Sequence, residues 1–251
     1  TILGFTGTDG QGLAGLEAYY DEYLSGTAGR LVTAKNAVGT DMPFQYEQKV
    51  EAQDGYNLVL TIDEVVQHYL EQALEEGVEN NKVENRATGI VMNVKTGEIV
   101  AMAVKGDYDP NNPFVIADEE ERARIAELPE EEQQEATSAA LQAQWRNKAV
   151  SDTYYPGSVF KMVTLSMALE ENVATVTCTG SYVPVQGERA INCHNTSGHG
   201  TQTLVQGTMN SCNPFFIYLG QLLGTETFFD YFEAFGFTQK TGIDLPGESQ
   251  S

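Results

Sequence analysis

The chain is short of cations. Lysine and arginine together number 14 against 36 aspartates and glutamates, a formal net charge of -22. Phosphate recognition depends on Lys and Arg, so a nucleic acid is excluded as the main partner. Long hydrophobic runs are lacking as well. None approaches the roughly 20 apolar residues that span a bilayer, and the opening TILGFTGTDG has neither a basic region nor a cleavage site. A secretion signal or membrane anchor, if the parent protein uses one, is expected outside this chain. Cysteine is scarce: Cys178, Cys193 and Cys212 show no metal-ligand spacing, and His194 and His199 in CHNTSGHG have no carboxylate or cysteine partners at a suitable spacing. No metal site is expected, and the two histidines read as loop hydrogen-bonders. The excursion CTGSYVPVQGERAINC has the composition of an irregular hairpin. Its cysteines either form a disulfide, which would contribute about 3 kcal/mol, or stay as two thiols, with Cys212 as a small buried hydrophobe. The single tryptophan, Trp145, is a packing anchor or a cleft wall.

What is present describes a globular chain: 251 residues, 41% hydrophobic and 10% aromatic, enough for one large domain or one and a half. Leu13, Leu16, Tyr20, Tyr23 and Leu24 fall on one helical face between Gly12 and Gly26, and the β-branched and polar stretch from Arg30 to Val50 reads as an exposed ribbon. Residues 1–50 are therefore expected to be an arm and 51–251 the start of the main domain. In YNLVLTIDEVVQHYLEQALEEG a strand ends at Asp63, a predicted N-cap; Val65, Val66, Tyr69, Leu70, Ala73 and Leu74 form a helical face; and Gly77 is the expected stop. TGIVMNV and EIVAMAV, apolar at successive positions, predict two strands covered on both faces. They flank Lys95-Thr96-Gly97, which reads as a hairpin turn. From about 107 to 150 a helical insertion is expected. It holds the acidic run DEEERARIAELPEEEQQE, either a solvated pair of helices or an acidic docking surface.

The stretch DTYYPGSVFKMVTLSMALEEN carries the chemistry. Pro156-Gly157 forces a turn, and the helix that follows is apolar around almost its whole circumference, so it is expected to be buried. Lys161 has no evident use there. Placed three residues after Ser158, its amine can lie beside the hydroxyl, and desolvation can lower its pKa enough for it to accept the serine proton. The plainer alternative is Ser158 as an N-cap with Lys161 reaching solvent. Downstream, Ser211-Cys212-Asn213 offers a hydroxyl and a carboxamide that can face one cleft, the first to relay protons with Lys161 and the second to bind a substrate amide. Turn or capping chemistry would also account for it.

Together, YYPGSVFK and SCN resemble the penicillin-interacting serine transpeptidases. GTDGQGLAGLE, VLTIDEVVQ, WRNKAVSDTYYPGSVFK, GHGTQTL and KTGIDLPGE, spread from about residue 4 to 248, narrow the resemblance to class B penicillin-binding proteins. The resemblance implies an α+β fold, an antiparallel sheet flanked by helices with an all-helical subdomain. It implies Ser158 as acylated nucleophile, Lys161 as general base, and Ser211 and Asn213 as the second active-site element. It further implies a D,D-transpeptidase acting on D-Ala-D-Ala stem peptides of peptidoglycan at the outer face of a bacterial membrane, acylated by β-lactams, working with cell-wall synthesis partners and using no cofactor. A β-lactam sensor of related fold and a vestigial cell-wall scaffold are the alternatives. The third family motif is also Lys-Thr-Gly, but Lys240-Thr241-Gly242 follows Asn213 too closely and runs into Pro246-Gly247, a turn rather than a strand. The catalytic copy, with the strands around it, is expected beyond Ser251. The position of Lys240 is a lookalike.

Overall fold

The computed structural model describes residues 1–32, 48–84, 87–173 and 175–249. The chain is α+β and divides into two compact units, residues 1–152 with 242–249 and residues 153–241.

In the first unit β1 (Phe5–Thr6) pairs antiparallel with β2 (Gly12–Ala14). Two short helices follow, α1 (Gly15–Tyr19) and α2 (Asp21–Leu24). The single helical face expected from Leu13 to Leu24 is thus broken. Leu13 lies in a strand, Leu16 is buried, and Tyr23 is exposed because the chain turns at Tyr20, whose hydroxyl donates to Asp244 at 2.6 Å. The ribbon is present at its base, where β3 (Arg30–Val32) pairs with β4 (Gln48–Val50); its middle lies outside the described residues.

Helix α3 (Glu64–Asn81) starts where expected, since Asp63 accepts from the amides of Val65 and Val66 at 2.9 and 3.1 Å. It runs past Gly77 to a left-handed Lys82 (φ 50°). A mid-helix glycine costs only about 1 kcal/mol, and the Asn81 amide donates to the Gly77 carbonyl at 2.8 Å. Helix α3 lies on the antiparallel hairpin of β5 (Thr88–Met92) and β6 (Ile99–Val104). Gly89 makes room, for a Cβ there would stand 2.6 Å from Leu70. Gln67 fastens the helix to the strand: its carbonyl accepts from Met102 N at 2.9 Å and its amide donates to Met102 O at 2.8 Å. Strand β6 is buried as expected. Strand β5 is not, with Ile90, Val91 and Met92 exposed, because α3 covers one side of the hairpin and Val65 and Tyr69 of that helix also face solvent. Lys95-Thr96-Gly97 is the hairpin turn: Gly97 (φ 80°) donates to Asn93 O at 2.8 Å.

The acidic stretch is helical, in α4 (Glu119–Ala126), capped by Asp118, and α5 (Glu130–Trp145); the short α6 (Lys148–Ser151) follows. Trp145 is a packing anchor. Its ring centroid lies 5.1 Å from Phe5 and 5.4 Å from Phe114, and its indole N–H donates to Pro113 O at 2.7 Å.

The second unit is built on α7 (Lys161–Glu170), β7 (Thr175–Cys178), β8 (Ser181–Tyr182), β9 (Ile191–Asn192), β10 (Gly200–Thr203), α8 (Leu204–Met209), α9 (Asn213–Leu223) and α10 (Thr225–Ala234). Strand β7 pairs with β10, and β8 with β9, both antiparallel. The core lies along α9, whose Phe215, Phe216 and Leu219 pack with Ala168, Val176 and the three cysteines. Fully burying a side chain such as Phe215 is worth about 1.5–3 kcal/mol. Gly207 of α8 is required here, since a Cβ would stand 2.5 Å from the Phe215 ring. The expectation that α7 is buried around its circumference fails. Thr164, Met167 and Ala168 are buried, whereas Met162 and Leu169 face solvent. Its apolar residues make two faces, of which one packs on α9. Among the described residues no helix is long and apolar enough to cross a membrane.

Candidate active site

Ser158 sits in a single 3-10 turn, Gly157–Phe160, that runs directly into α7. Gly157 takes φ 58° to make the entry after Pro156. Phe160 anchors the turn from behind, its ring 5.7–6.2 Å from those of Phe228, Phe232 and Phe237. The hydroxyl is thus held in the open by a residue two positions away that is packed. Lys161 is the first residue of α7.

Ser211 and Asn213 come from the other side of the same unit. The capping box of Thr203 and Gln206 starts α8, and the chain then turns sharply at Ser211 (φ 43°) before Asn213-Pro214 opens α9. A left-handed non-glycine residue costs on the order of 1–3 kcal/mol. The turn brings both side chains to Lys161. The amine donates to Asn213 Oδ1 at 2.7 Å, to Ser211 O at 2.8 Å and to Ser211 Oγ at 3.1 Å. Ser211 Oγ in turn donates to Ser158 Oγ at 3.3 Å.

All four residues singled out in the sequence therefore meet, with one difference from the expected arrangement. Among the described residues it is Ser211, not Lys161, whose side chain hydrogen-bonds Ser158. A lysine three residues on shares the helix face with Ser158, but Asn213 and the Ser211 carbonyl draw its amine aside. Partial burial pushes the Lys161 amine below its usual range, the Cys212 and Cys193 thiols opposing this. An open cleft of about 350 Å³ adjoins the amine, lined by Phe160, Ile191, Asn213, Phe216 and Phe228 among others. Lys240-Thr241-Gly242 lies in irregular chain, as expected of a turn.

Beside this chain is a group that the sequence reading missed. The cysteines are free thiols. Cys193 is not bridged to Cys178, and Cys212 is no bystander, its sulfur lying 3.7 Å from that of Cys193. His199 Nδ1 is 3.4 Å from the Cys193 sulfur, and the ligand atoms of Cys178, Cys193, His199 and Cys212 all lie within 4.8 Å of one another. Burial alone would push the Cys178 thiol up. The backbone N–H groups of His199 and Gly180, with the His199 and Cys212 side chains, outweigh it and bring that thiol below its usual range. Burial pushes the Cys212 thiol up, with Cys178 and Cys193 adding to the effect and the Phe215 N–H and Gln202 opposing it. No short motif announces the group, because its members are spread over residues 178–212 and reach one another only through the β7–β10 pairing and the turn at Ser211.

Comparison with known proteins agrees with the resemblance read from the motifs. Residues 87–251 match the family described as "Penicillin binding protein transpeptidase domain". The chain is 38% identical to stage V sporulation protein D of Bacillus subtilis over 98% of its own length and 35% of the relative's. It is 26% identical to peptidoglycan D,D-transpeptidase FtsI of Escherichia coli, over 98% of the chain and 37% of the relative. A solved structure, a peptidoglycan synthetase from Bifidobacterium adolescentis, superposes with a TM-score of 0.69 at 26% identity, over 99% of this chain and 41% of that one. The chain thus spans about a third of the length of the curated relatives it matches. With the matched domain, the shared fold and the relatives all in agreement, the chain belongs to the penicillin-binding protein transpeptidase family, in its class B branch.

Proposed function

We propose that the protein is a peptidoglycan D,D-transpeptidase with Ser158 as its nucleophile. The observation that carries this is the hydrogen-bonded series Ser158, Ser211, Lys161, Asn213 at the edge of an open cleft. The activity is the one named for the E. coli relative.

The hydrogen bonds suggest how the serine is activated. As an ammonium, Lys161 donates to three oxygens. As a neutral amine it keeps two protons and gains a lone pair, so one of those bonds must reverse. The longest, to Ser211 Oγ, is the one to do so. Ser211 then donates to Lys161 Nζ and accepts from Ser158, and the serine proton moves in two short hops as Ser158 Oγ attacks the carbonyl of the penultimate D-alanine. The C–N bond to the terminal D-alanine breaks, and the proton held by Lys161 returns through Ser211 to the leaving amine. A stem-peptide amine then attacks the ester, releasing Ser158 and completing the cross-link. The Ser158 backbone N–H, at the entry to α7, is suited to stabilise the oxyanion. Asn213 is left to fix the lysine and bind a substrate amide. β-Lactams acylate the same hydroxyl.

In this reading residues 1–50 form an arm and 51–251 the first part of the transpeptidase domain, with residues 107–150 a helical insertion. The protein works at the outer face of the bacterial membrane with cell-wall synthesis partners. Intact mass after incubation with benzylpenicillin tests the assignment. One penicilloyl adduct is expected on the wild type and none on Ser158→Ala. An adduct on both proteins, or on neither when the test is repeated on a chain extended past Ser251, overturns Ser158 as nucleophile.

A further inference from the structure

We propose that Cys178, Cys193, His199 and Cys212 bind a structural zinc ion, and that this ion holds the turn bearing Ser211 and Asn213 in register with Lys161. The second half of the proposal rests on the transpeptidase reading above; the first does not.

The distances from Cys193 are those of a four-coordinate site. Zinc bonds of about 2.3 Å to sulfur and about 2.05 Å to imidazole nitrogen, set at tetrahedral angles, place two sulfurs about 3.8 Å apart and a sulfur and a nitrogen about 3.5 Å apart. The Cys193 sulfur lies 3.7 Å from that of Cys212 and 3.4 Å from His199 Nδ1. All four ligand atoms fall within 4.8 Å of one another, so small side-chain shifts bring them round one ion. A disulfide needs its sulfurs at about 2.05 Å and uses two thiols, leaving the third and the imidazole unexplained. A plain apolar core accounts for buried thiols but not for a ring nitrogen turned into the middle of them.

The surroundings suit thiolates. The backbone N–H groups of His199 and Gly180 point at Cys178, and that of Phe215 at Cys212. Gln202 is 2% exposed, with its carbonyl accepting from Asn210 at 2.7 Å. Its amide nitrogen has no oxygen acceptor and lies against the Cys212 sulfur. A buried amide N–H is costly without a good acceptor, and a metal-bound thiolate is a stronger acceptor than a neutral thiol. Three thiolates and an imidazole are a soft set that favours zinc over magnesium or calcium. Four protein ligands close the coordination sphere and leave no place for a reacting water, so the ion is structural.

The ligands come from four separate stretches of chain. Cys178 ends β7, Cys193 follows β9, His199 precedes β10, and Cys212 precedes α9. Between Cys178 and Gly200 the strand pairing is a two-residue ladder, Ser181 with Asn192 and Tyr182 with Ile191. The backbones there come very close: a Cβ on Gly198 (φ 81°) would stand 2.6 Å from the Cys178 carbonyl. An ion at the centre would cross-link the excursion to the start of α9. Cys212 lies between Ser211 and Asn213, so fixing its sulfur fixes the strained turn that aims both at Lys161.

The test is zinc content of the full chain, purified with a thiol reductant and dialysed against metal-free buffer. About one zinc per chain is expected. Cobalt should replace it and give the intense visible bands of a tetrahedral ion with a sulfur charge-transfer band. Cys193→Ser and His199→Ala should weaken zinc binding at least about tenfold, whereas His194→Ala, whose ring lies beside the group, should not. Zinc below about a tenth of an equivalent after reconstitution, an octahedral cobalt spectrum, or full zinc affinity in both Cys193→Ser and His199→Ala would overturn the site. The cobalt spectrum of the wild type decides even if the variants fail to fold. Acylation by benzylpenicillin before and after chelation tests the second half: a rate lowered on zinc removal and restored by zinc is expected, and an unchanged rate overturns the positioning role. A chain that binds zinc but is never acylated, even when extended past Ser251, would leave the metal site standing and refute the transpeptidase reading instead.

Discussion

Replacing Lys161 by methionine separates the lysine's two jobs, because their magnitudes differ. Structurally, the amine gives hydrogen bonds to Ser211 O, Ser211 Oγ and Asn213 Oδ1. Ser211 and Asn213 are exposed, so water can take the place of the lost donor. The stability cost should stay near the ordinary net value of a hydrogen bond, about 1 kcal/mol, and the methionine stem preserves most of the packing against α9. Chemically, losing a general base costs about 10²–10⁴ in rate, or roughly 3–5 kcal/mol of transition-state stabilisation at 1.36 kcal/mol per decade. Lys161→Met should therefore melt close to the wild type yet be acylated at least about a hundredfold more slowly. The assay is the second-order rate of labelling by a fluorescent penicillin, with a thermal melt of each protein beside it. Lys161→Arg sharpens the result. Arginine keeps the positive charge and the donors but does not deprotonate, so it should be as slow as methionine if the lysine acts as a base. Labelling of either variant within about tenfold of the wild type would refute base catalysis by Lys161.

Further outcomes follow from the same geometry. Partial burial lowers the Lys161 pKa, and the reactive form is the neutral amine, so labelling of the wild type should rise with pH along a limb centred below the free lysine value of 10.5; a flat or falling limb would contradict the proton relay. Phe215 is fully buried in the second unit, and Phe215→Ala should cost about 3–5 kcal/mol, read as a lower urea midpoint. Gly207→Val places side-chain atoms into the Phe215 ring, already 2.5 Å from a Cβ at that position, and should cost about 1–3 kcal/mol by overpacking in the same measurement. Gln67→Ala leaves the Met102 N–H and C=O without their side-chain partners and should destabilise by about 1–3 kcal/mol, with faster hydrogen exchange at Met102.

Where the information is local, the sequence determined the outcome by itself. Asp63 caps α3 because a carboxylate before a helical run meets the free amides of the first turn, whatever else the chain does. Lys95-Thr96-Gly97 turns because two apolar strands must reverse across it and glycine can take a positive φ. The spacing of Ser158 and Lys161 is likewise a few residues read along one turn, and the motif set was enough to indicate the family. Tertiary structure decided the rest. Ser211, and not Lys161, faces the Ser158 hydroxyl, since a left-handed turn and a carboxamide from α9, 52 positions further along the chain, pull the lysine toward themselves. Met162 of α7 and Met92 of β5 stay exposed because coverage depends on which neighbour arrives, and composition does not record that. The convergence of Cys178, Cys193, His199 and Cys212 has no signature in their spacing at all. It exists because the β7–β10 ladder sets Cys178 opposite Gly200, beside His199, and the turn before α9 swings Cys212 toward Cys193, both consequences of the path of the chain through space.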